Sequence, residues 1–427
     1  METYMSRAMD PMGELIAHLP SISALLHVYR CESLIEAWWN LPEKNSTLSE
    51  RKRGAWGMLA ALEELKKAKI PFWFEGVSAL DQYYKVPNRP FFYVLVEGSL
   101  VDLAKVLPGI RFPGREHIDA EFEESDETVV YFRCKENQGN RWTSSPLFSP
   151  LYDPIQGKYL DPLGVYGTLR KKCVDRSEID TLLGYEAALL IARYGFQIEP
   201  VKVELPKEST PLDVATQKDL LVLVLTGKYT APGLQFLFEA GYFHHYWPEL
   251  EVLKDVSHSK EYHPEGDVWD HTTETFAYRK TPDLAISLAL LLHDVGKPYA
   301  QTWEGRKFDK HAEIGTRIAS QFLHRLGFSD PLVKKVLFLV RNHMMPGALK
   351  TLPIYRVEKV LDSVWFPELL EVYRCDLSST FRGPDGYYEA CKVYRAFLRN
   401  KKNPFRTVEG KKIQRIREPF VMQRGRS

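Results

Sequence analysis

Residues 284–297 read LAISLALLLHDVGK, and the reading of that stretch decides the fold. Apolar and small residues run from Leu284 to Leu292 with no charged residue among them, which predicts a helix buried on most sides. The run is too short to span a bilayer. Gly296 and Pro298 predict where the helix stops. The ionisable pair His293-Asp294 then falls at the end of a buried helix, where neither group is solvated as it would be in water. A divalent metal ion is the simplest compensation.

Working outward, the remaining ligands are at hand. His271 lies 22 residues before His293, in DVWDHTTETF, and His311 lies 17 after Asp294, in FDKHAEIGTRIA. His343 comes 32 later in LVRNHMMP, and Asp376 another 33 later in VYRCDLSS. Seven of the twelve histidines fall between 258 and 343, so their grouping needs a cause. Each ligand candidate is expected where a helix begins or ends, and helical bundles build metal sites by converging such side chains. A nitrogen and oxygen donor set without thiolates suits Mg, Mn, Fe, Co, Ni or Zn and does not choose between them.

The order His271, His293-Asp294, His311, His343, Asp376 resembles the HD superfamily of metal-dependent phosphohydrolases. The strings EYHPEGDVWDHT (261–272), LLHDVGKP (291–298) and FDKHAEIGTRIA (308–319) are similar to the HD domain of bacterial tRNA nucleotidyltransferases and their poly(A) polymerase relatives. The dipeptide alone is weak; the ordered set of six ligands is specific. One histidine by itself would more often be a core residue bonded to Asp267 or Asp270, and the five further candidates in order weigh against that for His271.

The resemblance implies His271, His293, Asp294 and Asp376 as primary metal ligands. His311 and His343 either complete a second ion position or meet the substrate phosphate. Asp294, Lys297 and His311 are the catalytic candidates: Lys297 is placed to meet a phosphate oxygen, and Asp294 to orient the nucleophile. Arg341 is a weaker candidate, His263 is expected to fix its loop, and His324, His244 and His245 are expected to be structural. Activity of a phosphomonoesterase, 2′-nucleotidase or 2′,3′-cyclic phosphodiesterase kind is implied, the metal supplying an activated water.

Composition narrows the class. A chain of 427 residues with 44% hydrophobic and 26% charged residues is ordinary for a soluble globular protein of two to four domains. A net charge of +1 predicts neither a general nucleic-acid binder nor an acidic tail. Five scattered cysteines without CxxC spacing argue for a reducing compartment and against a disulfide framework or zinc ribbon. The N-terminal stretch reads as no signal peptide. The expectation is a cytoplasmic protein.

The expected fold class is α+β and mainly helical. Residues 1–70 read as a helical extension, whose basic turn at Arg51–Arg53 is best taken as a wet surface. From 71 to 175, PFWFEGVSAL, RPFFYVLVEGS, HIDAEFEE and ETVVYFRC read as strands of a small mixed sheet. A helical neck follows over 176–250, then an all-α HD domain over 251–400 and a basic tail over 401–427. The stretch LYDPIQGKYLDPLGVYGTLRK is similar to the one that closes the catalytic head of tRNA nucleotidyltransferases, so 71–175 resembles a nucleotidyltransferase head.

That head's catalytic residues do not carry over. The family's glycine-rich turn with Arg-Asp corresponds to FEGVSALDQYY (74–84), which has one glycine and no arginine. Its two carboxylates on one strand, which hold the metals of phosphoryl transfer, correspond to FFYVLVEGS (91–99), where Glu97 is the only acid. The Arg-Asp-Phe-Thr element aligns with Thr143–Pro146, and three nucleotide-reading arginines align with Leu183, Glu186 and Leu189. The acids Asp119, Glu121, Glu123 and Glu124 could form a displaced site, but alternating acids more often mark the solvated side of an edge strand.

The expected function is therefore a metal-dependent phosphohydrolase, acting on a phosphoester of a nucleotide or RNA end, built on a scaffold that has lost nucleotide addition. One alternative is a non-catalytic RNA- or nucleotide-binding regulator. Another is an active CCA-adding tRNA nucleotidyltransferase. The tail carries nine Lys or Arg against two Glu and is the expected RNA contact.

Overall fold

The computed structural model describes residues 59–412 except 88, 126–127, 137–142, 175–180, 199–210, 257–265, 301–307, 309, 381–382 and 404. These all lie in the compact unit Leu59–Ser427. The readings of residues 1–58, of His258 and His263, and of the tail beyond 412 fall outside the described residues.

The aromatic and β-branched runs form the sheet expected of them. Strands β1 (Phe72–Glu75), β2 (Phe91–Val96), β3 (Ala120–Ser125), β4 (Thr128–Cys134), β5 (Leu151–Asp153) and β6 (Lys158–Leu160) lie in the order β3-β4-β2-β1-β5-β6. Among the described residues of this sheet only β2 and β4 pair parallel, from Phe91↔Val129 to Val96↔Cys134. As an inner strand β2 is apolar on both faces, and Val94 and Val96 are fully buried. The PFWFEGVSAL stretch is a strand only as far as Glu75. Gly76 then takes φ 54°, which a residue with a Cβ rarely adopts, and the chain continues as the helix Val77–Tyr83. At the sheet edge, Glu121 and Glu123 of β3 pair with Arg111 at 3.1 and 3.3 Å. Here the solvated-edge reading of these acids holds.

The neck anchors to the head through a buried ion pair. Its helix Gly184–Leu189 continues as one wider turn, Leu190–Tyr194, which carries Arg193. The Arg193 guanidinium donates from Nε and Nη2 to the two oxygens of Asp81 at 2.9 and 2.6 Å, and Tyr194 Oη donates to the same carboxylate. The helices Val214–Leu225 and Thr230–Glu239 pack beside this turn.

From Val268 onward the described residues are helical. The helix Leu284–Leu292 is almost wholly buried and is crossed by Val268–Thr275, Asp330–Asn342 and Phe366–Ser378. It ends at His293, earlier than Gly296 suggests, and Gly296 has an ordinary φ of −85°. The glycine is needed for closeness, since a Cβ there would stand 2.1 Å from the His311 carbonyl oxygen and 2.5 Å from the Gly315 nitrogen. Among the described residues no helix is long and apolar enough to cross a membrane.

A candidate metal centre

Five helices deliver the ligand candidates, four of them at a helix end. His271 lies in the first turn of Val268–Thr275, a helix capped by Asp267, whose carboxylate accepts from the Asp270 N–H at 2.8 Å. His293 caps the C-terminus of Leu284–Leu292, and Asp294 is the next residue. His311 opens His311–Arg325, and His343 caps Asp330–Asn342. Asp376 sits in the last turn of Phe366–Ser378. The four histidines and Asp294 are all buried, at most 7% exposed.

These side chains form two trios: His271, His293 and Asp376 in one, and Asp294, His311 and His343 in the other. Within each trio the donor atoms lie within 4.8 Å of one another. In the first, His271 Nε2 is 3.1 Å from Asp376 Oδ1 and 3.4 Å from His293 Nε2. In the second, His311 Nε2 and His343 Nε2 are 3.3 Å apart. Asp294 joins the two. Its Oδ2 is 3.1 Å from His293 Nε2, while its Oδ1 is 3.5 Å from His311 Nε2 and 3.9 Å from His343 Nε2. The sequence reading grouped Asp294 with the first trio; the geometry places it between both.

The imidazoles are held in the tautomer that a metal requires. Carbonyl oxygens can only accept, so each Nδ1 facing one must carry the proton. His293 donates in this way to Leu290 at 2.8 Å, His311 to Phe308 at 2.9 Å, and His343 to Val340 at 2.7 Å. Ser379 gives its hydroxyl proton to the Asp376 carbonyl at 2.7 Å, leaving its oxygen to accept from His271 Nδ1 at 3.2 Å. All four Nε2 atoms therefore present lone pairs when the rings are neutral. Two lone pairs facing each other across 3.3 Å repel unless a cation or a proton lies between them. On that chemistry, a divalent ion fits the donor set.

Electrostatics point the same way. Burial pushes the Asp294 carboxyl up, but His293, Lys297 and His311 together hold it well below the usual carboxylate range. Asp376 is likewise depressed, burial being outweighed by the nearness of the His271 and His293 rings. Burial, helped by His293, lowers His343 to about 4, so this ring is neutral at ordinary pH. Lys297 Nζ lies 2.5 Å from Asp294 Oδ2 with its side chain 11% exposed, which puts its ammonium beside the site. Arg341 is exposed. His324 donates from Nδ1 to the Ser320 carbonyl at 2.7 Å, and the exposed His244 faces Glu251 at 3.2 Å, as structural residues would. Sequence reasoning missed Ser379 and the three carbonyls that fix the ring protons. The carbonyls had a signal, because each belongs to the residue three before its histidine.

The head offers no comparable cluster among the described residues. Glu97 leaves β2 at the far end from the Gly76 turn, where its N–H bonds the Pro71 carbonyl and its carboxylate meets Lys135 at 3.0 Å. Beside the turn, the strand presents Phe91 to Val94, none of them acidic. Glu75 is held by Arg133 at 2.9 and 2.5 Å, and Asp119 accepts from the Cys134 N–H at 2.7 Å. Glu124 accepts from the N–H groups of Ala60 and Ala61. Glu186, fully buried, accepts from the N–H groups of Ser144, Ser145 and Leu183.

Residues 248–364 match the HD domain family. The multifunctional CCA protein of Acinetobacter baumannii is 27% identical over 261 residues, 56% of this chain and 63% of that protein. The CC-adding tRNA nucleotidyltransferase of Thermus thermophilus is 34% identical over 32% of this chain and 33% of its own length. The A-adding enzyme of Deinococcus radiodurans is 28% identical over 44% of this chain and 48% of its own. The chain thus spans less than two thirds of the curated relatives it matches. Among solved structures, the CCA-adding enzyme of Bacillus stearothermophilus in complex with CTP overlaps 79% of this chain and 81% of its own, with a TM-score of 0.48 and 14% identity. The chain therefore contains an HD domain, and parts of it are similar in sequence to a multifunctional CCA protein and to CC- and A-adding tRNA nucleotidyltransferases.

Proposed function

We propose that this chain is a metal-dependent phosphohydrolase acting on a phosphoester of a nucleotide or an RNA end, and that its head has lost nucleotide addition. The observation that carries the reading is the convergence of four imidazole Nε2 lone pairs on the buried Asp294 and the half-buried Asp376. Divalent ions bound by the two trios would supply Lewis acidity and an activated water. The chain's own residues do the rest. Asp294 offers one oxygen towards each trio, which fixes the spacing of the two positions and orients what lies between them. Lys297, anchored on Asp294, holds an ammonium where charge grows on the non-bridging oxygens of an attacked phosphate. His311, at the first position of its helix, serves the second trio. Burial keeps bulk water from the imidazoles, and the half-buried Asp376 leaves the approach open.

In this reading the protein is cytoplasmic, with a head over 71–175, a neck over 176–250 and the hydrolase over 251–400. Its test is the double substitution His293→Ala and Asp294→Ala, assayed on a phosphoester panel with Mn or Ni. A loss of at least about 100-fold is expected, the scale for removing metal ligation and its oriented water. Unchanged turnover overturns the assignment.

A second reading, a working tRNA nucleotidyltransferase, is favoured by the names of the relatives, all of which are CCA-, CC- or A-adding proteins. The paired-off acids of the head weigh against it. Incorporation of labelled nucleotide into a tRNA lacking its 3′ end would establish that second reading and refute the loss. A protein that binds metal and RNA with no turnover in either assay would be the non-catalytic regulator.

A further inference from the structure

Away from the metal centre, the last long helix, Asp385–Lys401, has a one-sided charge pattern. Tyr387, Ala390, Cys391, Tyr394 and Phe397 are buried, so the opposite face is turned to solvent. Lys392, Arg395, Arg399 and Lys402 are exposed on that face, spaced three, four and three residues apart. At 100° per residue they fall within about 80° of arc, and at 1.5 Å per residue they extend about 15 Å. Only Lys392 has an acidic neighbour, Glu389 at 2.7 Å. Among the described residues, Arg395, Arg399 and Lys402 pair with no carboxylate.

The patch is not a sample of a basic protein. Residues 385–412 hold eight Lys or Arg against three Asp or Glu, whereas the whole chain has a net charge of only +1. Evenly spaced cations along one ridge match a strand of phosphates better than a single anion. A second observation narrows the partner further. Immediately after the ridge, Phe405 is 58% exposed beside the exposed Arg406, in a turn closed by the Thr407–Lys411 and Arg406–Asn403 backbone bonds. An exposed aromatic ring next to a cationic track suits an unpaired base, which stacks on it, better than a duplex, whose bases are already stacked on one another.

We propose that the ridge Lys392–Lys402, with Phe405, is a docking surface for single-stranded RNA. It overlaps the start of the basic tail at Lys402 and Phe405, and it does not depend on what the metal centre does. The test uses fluorescence anisotropy of the full chain with a 12-nucleotide single-stranded RNA, a duplex of equal length, and phosphatidylserine-containing vesicles. The double variant Arg395→Gln and Arg399→Gln should weaken single-strand binding at least about 10-fold and flatten the log K against log salt slope by about 1.4. Arg395→Lys with Arg399→Lys should restore most of the affinity. Phe405→Ala should cost at least about 5-fold on the single strand with the slope unchanged. The exposed pair Lys66→Gln and Lys69→Gln, an equal charge change elsewhere, should cost little. Phosphoester turnover of the unsubstituted protein is measured beside the binding, so that failure of the hydrolase reading and failure of this one are told apart. An equal loss in the Lys66/Lys69 control, tighter binding of duplex or vesicles, or no effect of the arginine pair overturns the proposal.

Discussion

At Gly296 a single hydrogen decides whether the metal centre closes. Its backbone lies against the first turn of His311–Arg325, where any Cβ would meet the His311 carbonyl at 2.1 Å. Gly296→Ala should therefore push apart the two segments that carry Asp294 and His311. A destabilisation of about 2–3 kcal/mol is expected, within the range of forced overpacking. Urea unfolding, run beside a metal-binding titration, checks it; unchanged stability with full metal uptake would contradict the close approach. His343 makes a second case. Its pKa is lowered to about 4 in the fold from an ordinary 6.5, so the fold prefers the neutral ring. That preference stabilises fully above pH 6.5 and is lost as pH falls towards 4, a total of roughly 3 kcal/mol. Chelator-treated protein should lose stability over that window more steeply than His343→Gln does, and parallel pH profiles would show that burial of this ring is not the cause.

All six ligand candidates could be picked out of the sequence, because the resemblance supplied their order. The division into trios could not. Whether Asp294 belongs to one set or bridges both depends on which way two carboxylate oxygens point, and spacing along a chain carries no such information. Ser379 was equally invisible: a serine three residues after an aspartate has no signature until the helix end folds it onto His271.

Among the elements, the join between head and neck rests on Arg193 and Asp81, both almost fully buried. Removing one partner leaves the other charge uncompensated, which typically costs about 3–5 kcal/mol. Asp81→Ala should fall in that range by urea unfolding, and a cost below about 1 kcal/mol would mean that water reaches the pair. On the reading that nucleotide addition has been lost, the elements also say why restoring single residues should not revive it. Thr143 lies beside Gly76, and Ser144 and Ser145 are tied by their N–H groups to the buried Glu186. Substituting Phe91→Asp and Tyr93→Asp should therefore give no nucleotide incorporation into tRNA, since the neighbouring turn and neck still lack their arginines. Incorporation by that variant would show the cradle to be intact. Strand positions were readable from alternating aromatic and β-branched residues. The switch to helix at Val77 was not, because Val-Ser-Ala-Leu fits either element and the left-handed turn at Gly76 decides between them.

At the scale of the molecule, one chain carries a helical domain with a concentrated donor cluster and a sheet-bearing head whose acids are spent on ion pairs and backbone bonds. The contrast lies in what surrounds each carboxylate. In the head and the adjoining neck, Glu75, Asp119 and Glu186 are each answered by a donor from the protein itself. In the helical domain, three of the four imidazoles turn their proton towards a main-chain carbonyl and aim a lone pair inward. A site with surplus lone pairs calls for a cation, and a site with matched pairs does not. The general architecture was legible from the texture of the sequence, since strand-rich and helix-rich stretches are well separated along the chain. The docking ridge was not singled out, because its charges are interleaved with core residues and only the helix sorts them onto one side.

The most direct measurement is a calorimetric titration of chelator-treated protein with Mn, paired with the same titration of Asp294→Ala. Two ions per chain in the parent, and a loss of at least one of them in the variant, is the expected result. Equal uptake by both proteins, or none by the parent, would contradict the claim that these six side chains form a divalent metal centre.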